Sequence, residues 1–464
     1  MAVELSVNEN EAAKRRWVFV ALGFLIAAAL PQFVVESALF ARVLSVAAVC
    51  LILWLSEATP PFVPSLLLWA LIPLVLGPLD ATLNFARVMT WAADPVLALF
   101  FGGFALGVAA EKFGIDREMI RYAFRISGTS FYRLLLLVIL ITAFLSMWLS
   151  NIAAAALMIA CLRPAFNGLS ESDLLRRTLL IGVALGADLG GMATPIGTGP
   201  NAVAIASLAG TVHVSFIGWM AFAFPLTAGM LLLGFGLLWL RTRGRVAREA
   251  TSGFDLDSLE PAAPADGERT NGRRIFLTIM AVTAVLWLAE PLHGIASAVV
   301  AVAASAALFL TGLLGRESLR KIDWSTLLLI AGGITLGKLF EATGIVAAAT
   351  EAIPFGSYSP TVALFIVCLA AAFFASIMSN TASVIMLIPI ATALIPEPST
   401  AILVAISASF GIPFNISTPP NAMAYGEGGL RSGDLFWPGI VIMVVGCVLV
   451  STTGPTVLRI VGIG

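Results

Sequence analysis

The sequence has few charged residues and almost none of the groups that soluble enzymes use for catalysis. Charged residues make up 11% of its 464 residues, whereas a soluble domain carries about 25%. Its two histidines, His213 and His293, stand apart from cysteines and from paired carboxylates. This lack of a catalytic constellation predicts that the protein is not an enzyme. There is also no phosphate-binding glycine loop, which predicts that any transport is driven by ions rather than ATP. The net charge of -1 gives no reason to expect a nucleic-acid partner.

Apolar residues dominate instead, at 59% of the chain, and they form long unbroken runs rather than an alternating pattern. Runs of this length are typical of helices that cross a lipid bilayer and not of β-barrel strands. The sequence therefore predicts an all-α polytopic membrane protein with about 11 transmembrane helices. The predicted spans are 17–40, 43–57, 62–79, 94–112, 178–208, 214–240, 274–291, 294–314, 325–345, 399–426 and 435–457.

Two further apolar segments are too long for one crossing and are interrupted near their middle. The segment at about 134–165 is broken at Ser150-Asn151, and the segment at about 360–396 is broken at Ser379-Asn380. Each is predicted to be a re-entrant hairpin that enters and leaves on one side of the membrane. A hairpin tip leaves backbone groups unpaired. Ser and Asn satisfy these groups and offer neutral oxygens to a cation, and the helix that begins after the tip favours an anion.

The two hairpins belong to a longer internal repeat. Four pairs of segments match in order at offsets of 220–230: Phe101-Gly102-Gly103 with Ala331-Gly332-Gly333, Glu111–Ile115 with Glu341–Ile345, Ser150-Asn151 with Ser379-Asn380, and Thr198-Gly199-Pro200-Asn201 with Thr418-Pro419-Pro420-Asn421. Because Pro and Gly interrupt helices, the last pair predicts an unwound stretch in the middle of the membrane. Broken segments in corresponding places are typical of a transporter whose site lies between the two copies.

The distribution of Lys and Arg predicts the orientation. With residues 1–16 as a cytoplasmic tail, the basic stretches at 112–133, 163–177, 241–248 and 316–321 all fall inside. Five crossings then separate the hairpins, which inverts the second copy and leaves the C-terminus outside. We expect a multi-pass protein of the inner (plasma) membrane in which 17–240 hold the first transmembrane helix and the first repeat, 241–273 a cytoplasmic linker, and 274–464 the second repeat.

At these motifs the sequence resembles the divalent anion:sodium symporter family (INDY-type, or solute-carrier-13, transporters), over about residues 45–440. In this chain, Trp54–Pro60 is similar to the family's early signature W-x-T-E-A-x-P. Phe101–Gly114 and Leu327–Gly344 are similar to two further segments of the family. The resemblance implies a homodimer in which a mobile domain carries Na+ and a di- or tricarboxylate, or sulfate, by an elevator mechanism. Sodium ions and the lipid bilayer would be its other partners.

The resemblance also implies site residues, by position. One sodium site would use Ser146, Ser150, Asn151 and Gly197, and the other Ala375, Ser379, Asn380 and Ser417. Substrate oxygens would meet Asn151, Thr198, Asn380, Thr381 and Thr418.

Three residues of the first repeat depart from the family pattern. Ile152 stands where the family has Thr, so the site loses a hydrogen-bond donor or contacts a non-polar part of the substrate. Gly199 replaces Pro. Asp188, inside an apolar span, is either a coupling residue that binds Na+ or a proton, or the member of a cap or ion pair.

The leading hypothesis is sodium-coupled symport of a divalent organic anion: a C4-dicarboxylate such as succinate, malate or fumarate, or citrate. A dicarboxylate exchanger and a sulfate transporter of the same fold are the alternatives.

Overall fold

The computed structural model describes residues 23–27, 37–56, 58–114, 130–163, 173–244, 267–345 and 359–463, together with positions 29, 31, 118, 126, 166, 170 and 348. Within these ranges every regular element is a helix, which confirms the predicted all-α class.

The described helices of the first half follow most of the predicted spans, but most of the span predicted at 17–40 lies outside the described residues and the helix at Phe85–Ala92 was not predicted. The helices are α1 (Ala38–Ser56), α2 (Val63–Leu71) with a π-helical turn (Ile72–Leu76), α3 (Phe85–Ala92), α4 (Pro95–Lys112), α5 (Phe131–Ser146), α6 (Asn151–Leu162), α7 (Leu174–Gly190) with a 3-10 turn (Gly191–Ala193), α8 (Gly199–Ser207) and α9 (Phe216–Thr242).

The second half has a parallel order of elements. It consists of α10 (Gly267–Leu288), α11 (Glu290–His293), α12 (Ser297–Leu310), α13 (Arg316–Arg320), α14 (Trp324–Thr343), α15 (Pro360–Ile377), α16 (Asn380–Leu394), α17 (Pro398–Ala408), α18 (Pro419–Gly426) and α19 (Ser432–Ile460).

Both predicted hairpins are pairs of packed helices, α5 with α6 and α15 with α16. The first breaks after Ser146, and Ser150 caps α6 by accepting a hydrogen bond from the amide of Ala153 at 3.2 Å. The second breaks after Ile377, and α16 begins at Asn380. The Ser-Asn interruptions therefore end one helix and start the next, as the sequence predicts.

The spans predicted at 178–208 and 399–426 are each two helices, α7 with α8 and α17 with α18. The position predicted for the unwound stretch was wrong by a few residues. The non-helical residues are 194–198 and about 409–418, and the motifs that follow form helix starts. Pro is favoured in the first turn of a helix, where a missing amide hydrogen costs nothing. Thr198 and Thr418 are the N-cap residues of α8 and α18.

The glycine pairs of the repeat permit close helix crossings. A Cβ atom on Gly102 of α4 would lie 2.5 Å from the Cβ atom of Ala301 in α12, and one on Gly332 of α14 would overlap Ser65 of α2. Six described helices are long and apolar enough to cross a membrane, by length and composition. One of the six is α15, the first half of the second hairpin; the other hairpin halves and the halves of the broken spans are shorter and do not meet this length criterion.

One end of the molecule carries ion pairs that join the two halves, and those of Asp434 are largely buried. Asp434, at the start of α19, pairs with Arg177 of α7 and Arg241 of α9, and its side chain is 4% exposed. Glu427, after α18, accepts from Arg163 at 2.6 Å. These contacts fix the ends of α7, α9 and α19 against each other.

The tail at 1–16 and the linker residues 245–266 lie outside the described residues. Within the predicted linker at 241–273, α9 continues to Thr242 and α10 begins at Gly267, and the linker bounds stay a prediction.

Candidate functional site

The first hairpin tip lies against the non-helical loop that follows α7. The hydroxyl oxygen of Ser146 is 2.8 Å from Oδ1 of Asn151 and 2.6 Å from the carbonyl oxygen of Ala187. Thr194, in the loop, donates to the carbonyl oxygen of Met147 at 2.6 Å. The tip and the loop are thus joined by buried hydrogen bonds.

Gly191 lets three of the predicted sodium ligands approach one another. A Cβ atom at this position would lie 2.5 Å from Oδ1 of Asn151 and 3.0 Å from the carbonyl oxygen of Gly197. Ser146, Asn151 and Gly197 therefore surround one small volume. Ser150 instead caps α6, so its side-chain oxygen is used by the backbone amide of Ala153.

Two asparagines hold the two loops in matching ways. Asn201 donates through Nδ2 to the carbonyl oxygens of Gly191 (3.2 Å) and Thr194 (2.8 Å). Asn421 donates through Nδ2 to those of Ile412 (3.0 Å) and Phe414 (3.0 Å). Both asparagines belong to the repeated motif, but the sequence does not indicate their role. Their acceptors are backbone carbonyl oxygens, which no residue pattern identifies.

The second hairpin meets its own loop in the same manner. Ala375 is fully buried, and a Cβ atom on Gly411 would lie 2.7 Å from the Ala375 Cβ and 2.7 Å from the carbonyl oxygen of Ala372. In the first half, Gly190 makes the corresponding approach to Ala143.

Two predicted ligands of the second sodium site have different surroundings. Ser417 donates to the carbonyl oxygen of Phe414 at 2.8 Å and accepts from Nδ2 of Asn421 at 3.1 Å. Oδ1 of Asn380 is buried and has no hydrogen-bond partner in the described part of the chain. It is available to a ligand. Ser379 contributes its carbonyl oxygen to Ser383, which donates at 3.1 Å.

The two halves meet at the predicted substrate residues. A Cβ atom on Gly199 would overlap the hydroxyl of Thr381, which belongs to the second hairpin and is 8% exposed. This contact explains why glycine replaces proline at position 199, since a pyrrolidine ring would occupy the same space. Thr198 makes no side-chain cap bond, so its hydroxyl is not committed to the helix.

Asp188 makes a second contact between the halves among the predicted site residues. It is 1% exposed, and its Oδ2 accepts a hydrogen bond from the hydroxyl of Thr418 at 2.8 Å. The Thr418 oxygen in turn accepts from the amide of Asn421 at 3.2 Å. The sequence alone cannot reveal this pair, because its members are 230 residues apart. Within the described residues the carboxylate accepts from this neutral hydroxyl, and both sequence interpretations, a coupling residue or a member of a cap or ion pair, stay predictions.

Helix ends set the electrostatics of the site. Four half-helices, α6, α8, α16 and α18, begin at predicted ligand residues or directly after one, and four others, α5, α7, α15 and α17, end near them. Helix N-termini favour anions and C-terminal carbonyls favour cations. Apart from Asp188, every predicted ligand is neutral. Ile152, in the first turn of α6, is 47% exposed and offers an apolar surface at the first tip.

Known proteins resemble this chain over most of its length. An uncharacterized transporter of Haemophilus influenzae is 27% identical over 431 residues, which covers 87% of this chain and 88% of the relative. The sodium-dependent dicarboxylate transporter SdcS of Staphylococcus saprophyticus is 26% identical over 449 residues, covering 88% of this chain and 85% of the relative.

The fold has a solved counterpart in the YdaH transporter of Alcanivorax borkumensis. The TM-score is 0.59 at 17% sequence identity, and the match covers 86% of this chain and 99% of that one. At this identity the likeness concerns the fold alone. The family model described as "Citrate transporter" matches residues 51–399, well over half of the chain. The resemblance predicted from the motifs is confirmed: the chain belongs to the citrate transporter family, is a multi-pass membrane transporter, and is not an enzyme.

Proposed function

We propose that the protein is a secondary active transporter that moves a divalent organic anion together with Na+. The observation that supports this most directly is the meeting of half-helix ends at residues that carry neutral oxygens. A dianion in a neutral site needs positive charge from elsewhere. Helix N-termini supply part of it, and bound cations supply the rest.

The first cation would lie among Ser146, Asn151 and the carbonyl oxygen of Gly197, the oxygens that surround Gly191. The second would use the backbone of Ala375 with Ser417 and the unpartnered Oδ1 of Asn380. Hydroxyl, amide and carbonyl oxygens are the ligands that sodium sites in transporters use at unwound backbone. Ser150 and Ser379 would complete the sites through backbone atoms.

The substrate would lie between these cations, in contact with Asn151, Thr198, Asn380, Thr381 and Thr418. The substrate's two carboxylates would face the N-termini of four half-helices. Two of these, α6 and α16, belong to the hairpins, and two, α8 and α18, belong to the broken spans. A C4-dicarboxylate such as succinate, malate or fumarate fits this twofold arrangement, and SdcS is by name a sodium-dependent dicarboxylate transporter.

The transport cycle we propose is an elevator movement in a homodimer of two inverted repeats. The matched contacts of Gly190 with Ala143 and of Gly411 with Ala372 support the repeat. The ion pairs of Asp434 with Arg177 and Arg241 join α7, α9 and α19, which suits a domain that moves as one body. The clustering of these arginines at one end favours a cytoplasmic N-terminus, an outside C-terminus and a plasma-membrane location.

Sulfate transport, or exchange of dicarboxylates, is the second candidate, and Ile152 is the observation that favours it. An exposed isoleucine at the first tip removes a donor that a second carboxylate would use. A smaller tetrahedral anion needs fewer contacts at that end.

Uptake of labelled succinate into proteoliposomes tests the proposal. An inward Na+ gradient is expected to drive accumulation, and choline in place of Na+ is expected to abolish it. Asn380→Ala removes the unpartnered oxygen and should weaken Na+-dependent uptake. Asn84→Ala, at the exposed cap of α3, is the matched control because Asn84 lies far from the hairpins in sequence and its side chain bonds only to the nearby backbone of Ala81 and Arg87.

Accumulation of succinate that is indifferent to Na+ but stimulated by internal succinate would support exchange instead. Failure of succinate, malate, fumarate and citrate alike, with uptake of sulfate, would support the sulfate alternative and refute dicarboxylate symport.

A further inference from the structure

Asp188 contacts the predicted substrate residue Thr418 with one oxygen of its carboxylate, and the other oxygen is unused. Oδ2 accepts one hydrogen bond from Thr418, but Oδ1 is buried and has no hydrogen-bond partner within the described residues. Buried carboxylates in proteins are usually paired or bound to a cation, because an ionised oxygen without a partner is costly. The orphaned oxygen is therefore the feature to explain.

No nearby side chain neutralises this carboxylate in the part of the chain described. The elements packed on α7 are α5, α6, α9, α18 and the 3-10 turn. The titratable or charged groups of these elements, of α7 itself and of the adjoining helix ends are Tyr132, Arg133, Cys161, Arg163, Asp173, Arg176, Arg177, Arg241, Arg243, Tyr425 and Glu427. A helix rises about 1.5 Å per residue. On that scale each of these groups lies about 10 Å or more along its own helix from the turn that packs near Asp188.

The second half has no equivalent charge. At the offset of 220 that relates Thr198 to Thr418, the position that corresponds to Asp188 is Ala408. When it is ionised, Asp188 therefore adds one negative charge to the site beyond that of the substrate, on one side only. Two sodium ions neutralise the two charges of a dianion, so an ionised Asp188 would still have no counter-charge.

We propose that Asp188 binds one monovalent cation, a proton or a sodium ion, together with the substrate, as a third coupling site beside the two sodium sites. This inference rests on the proposed function, because it adds one positive charge to the same transport step. A proton would bond to Oδ1 and come from bulk water. A sodium ion would be bound by Oδ1 with oxygens of the neighbouring loop. Neither case involves a redox change.

The hydroxyl of Thr418 links this cation to the substrate. It has a single hydrogen, which is donated to Asp188 while the carboxylate is ionised. A cation on Asp188 weakens the carboxylate as an acceptor, so the hydrogen becomes available to a substrate oxygen. The substrate and the cation therefore bind more tightly together than either does alone, which is the reciprocal coupling that symport requires.

Binding measurements on the purified full-length protein test the inference. The succinate dissociation constant is measured at a series of Na+ concentrations and of pH values. The slope of log Kd against log[Na+] counts sodium ions bound with succinate, and the slope against pH counts protons. Asp188→Asn keeps the shape and an acceptor for Thr418 but removes the charge. We expect one of the two slopes to fall by about one in this variant.

A fall in the sodium slope would identify the cation as Na+, and a fall in the pH slope would identify it as a proton. Glu397→Gln is the control, since Glu397 is an exposed carboxylate paired with Arg459 at 3.3 Å, and both of its slopes should equal those of the wild type. Unchanged slopes in Asp188→Asn would overturn the inference.

The wild type alone gives a second test, which holds even if the variant fails to fold. If two sodium sites and Asp188 each bind one cation with succinate, the wild-type sodium slope and pH slope add up to about three. A sum of about two would overturn the inference. Absence of succinate binding in Na+ would overturn the proposed function and this inference with it. Binding with a total of two would overturn the inference alone.

Discussion

Gly191 offers the most direct test of the first cation site. Gly191→Ala would place a Cβ atom 2.5 Å from Oδ1 of Asn151 and 3.0 Å from the carbonyl oxygen of Gly197. Ordinary contact begins near 3.4 Å, so the Asn151 oxygen must move by roughly 0.9 Å or the loop must shift. The Asn151 side chain cannot turn away freely, because Ser146 is bonded to the same oxygen at 2.8 Å.

The cost of the substitution can be estimated from overpacking. Inserting a methyl group into a well-packed site costs about 1–3 kcal/mol. If the bound cation requires both oxygens in their present places, this energy is lost from cation binding, which weakens Na+ affinity by about 5- to 150-fold. Loss of affinity without loss of expression is the expected outcome.

Thermal stabilisation by Na+ provides the assay. A ligand that binds the folded state raises the melting temperature according to its concentration relative to Kd. The midpoint of this effect should shift to higher Na+ in Gly191→Ala. Gly236→Ala is the matched control, since no atom lies within 4 Å of the added Cβ in α9. A Gly191→Ala midpoint equal to that of the control would refute the assignment of Asn151 and Gly197 to one cation site.

Three other substitutions probe the rest of the molecule. Gly199→Ala should weaken succinate binding about tenfold, because the new methyl group displaces the Thr381 hydroxyl, and isothermal calorimetry measures it; unchanged affinity would remove Thr381 from the site. Ile152→Thr should tighten succinate binding about tenfold by adding one hydrogen bond to a carboxylate, and an unaltered Kd in the same assay would show that position 152 does not face the substrate. Asp434→Asn should lower the free energy of unfolding by about 3 kcal/mol, because Arg177 and a partly exposed arginine beside it lose their counter-charge; a melting temperature like that of the wild type would contradict this.

Much of the fold could be predicted from local patterns. The apolar runs gave most helix bounds to within a few residues, and Ser150-Asn151 and Ser379-Asn380 marked both hairpin tips. These features are local: a helix needs a continuous apolar run in lipid, and its end needs groups that satisfy the backbone. The predicted positions of the unwound stretches differ from the observed ones by a few residues. The prediction assumes that Pro breaks a helix, whereas Pro lies in the first turn of α8 and of α18.

The site itself was only partly predictable. The residue types and their pairing in the repeat were visible, but the partners that fix their geometry were not. Gly191 accommodates Asn151 across a distance of 40 positions, and Asp188 meets Thr418 across 230. Contacts of this kind depend on how helices pack, and no single sequence encodes them as a local signal. Asp188 was conspicuous as an acid in an apolar span, yet its neutral partner could be found only in the folded chain.

The crossed contacts between the halves have a consequence for how this chain can change. Gly199 accommodates a residue of the second hairpin, and Asp188 holds the cap of a second-half helix. A larger side chain at 199 should be tolerated only with a smaller one at 381, and such a double substitution should cost less than the sum of its parts. The two halves are therefore constrained to vary together, and exchanging one half for that of a distant relative should disrupt binding even where each half folds.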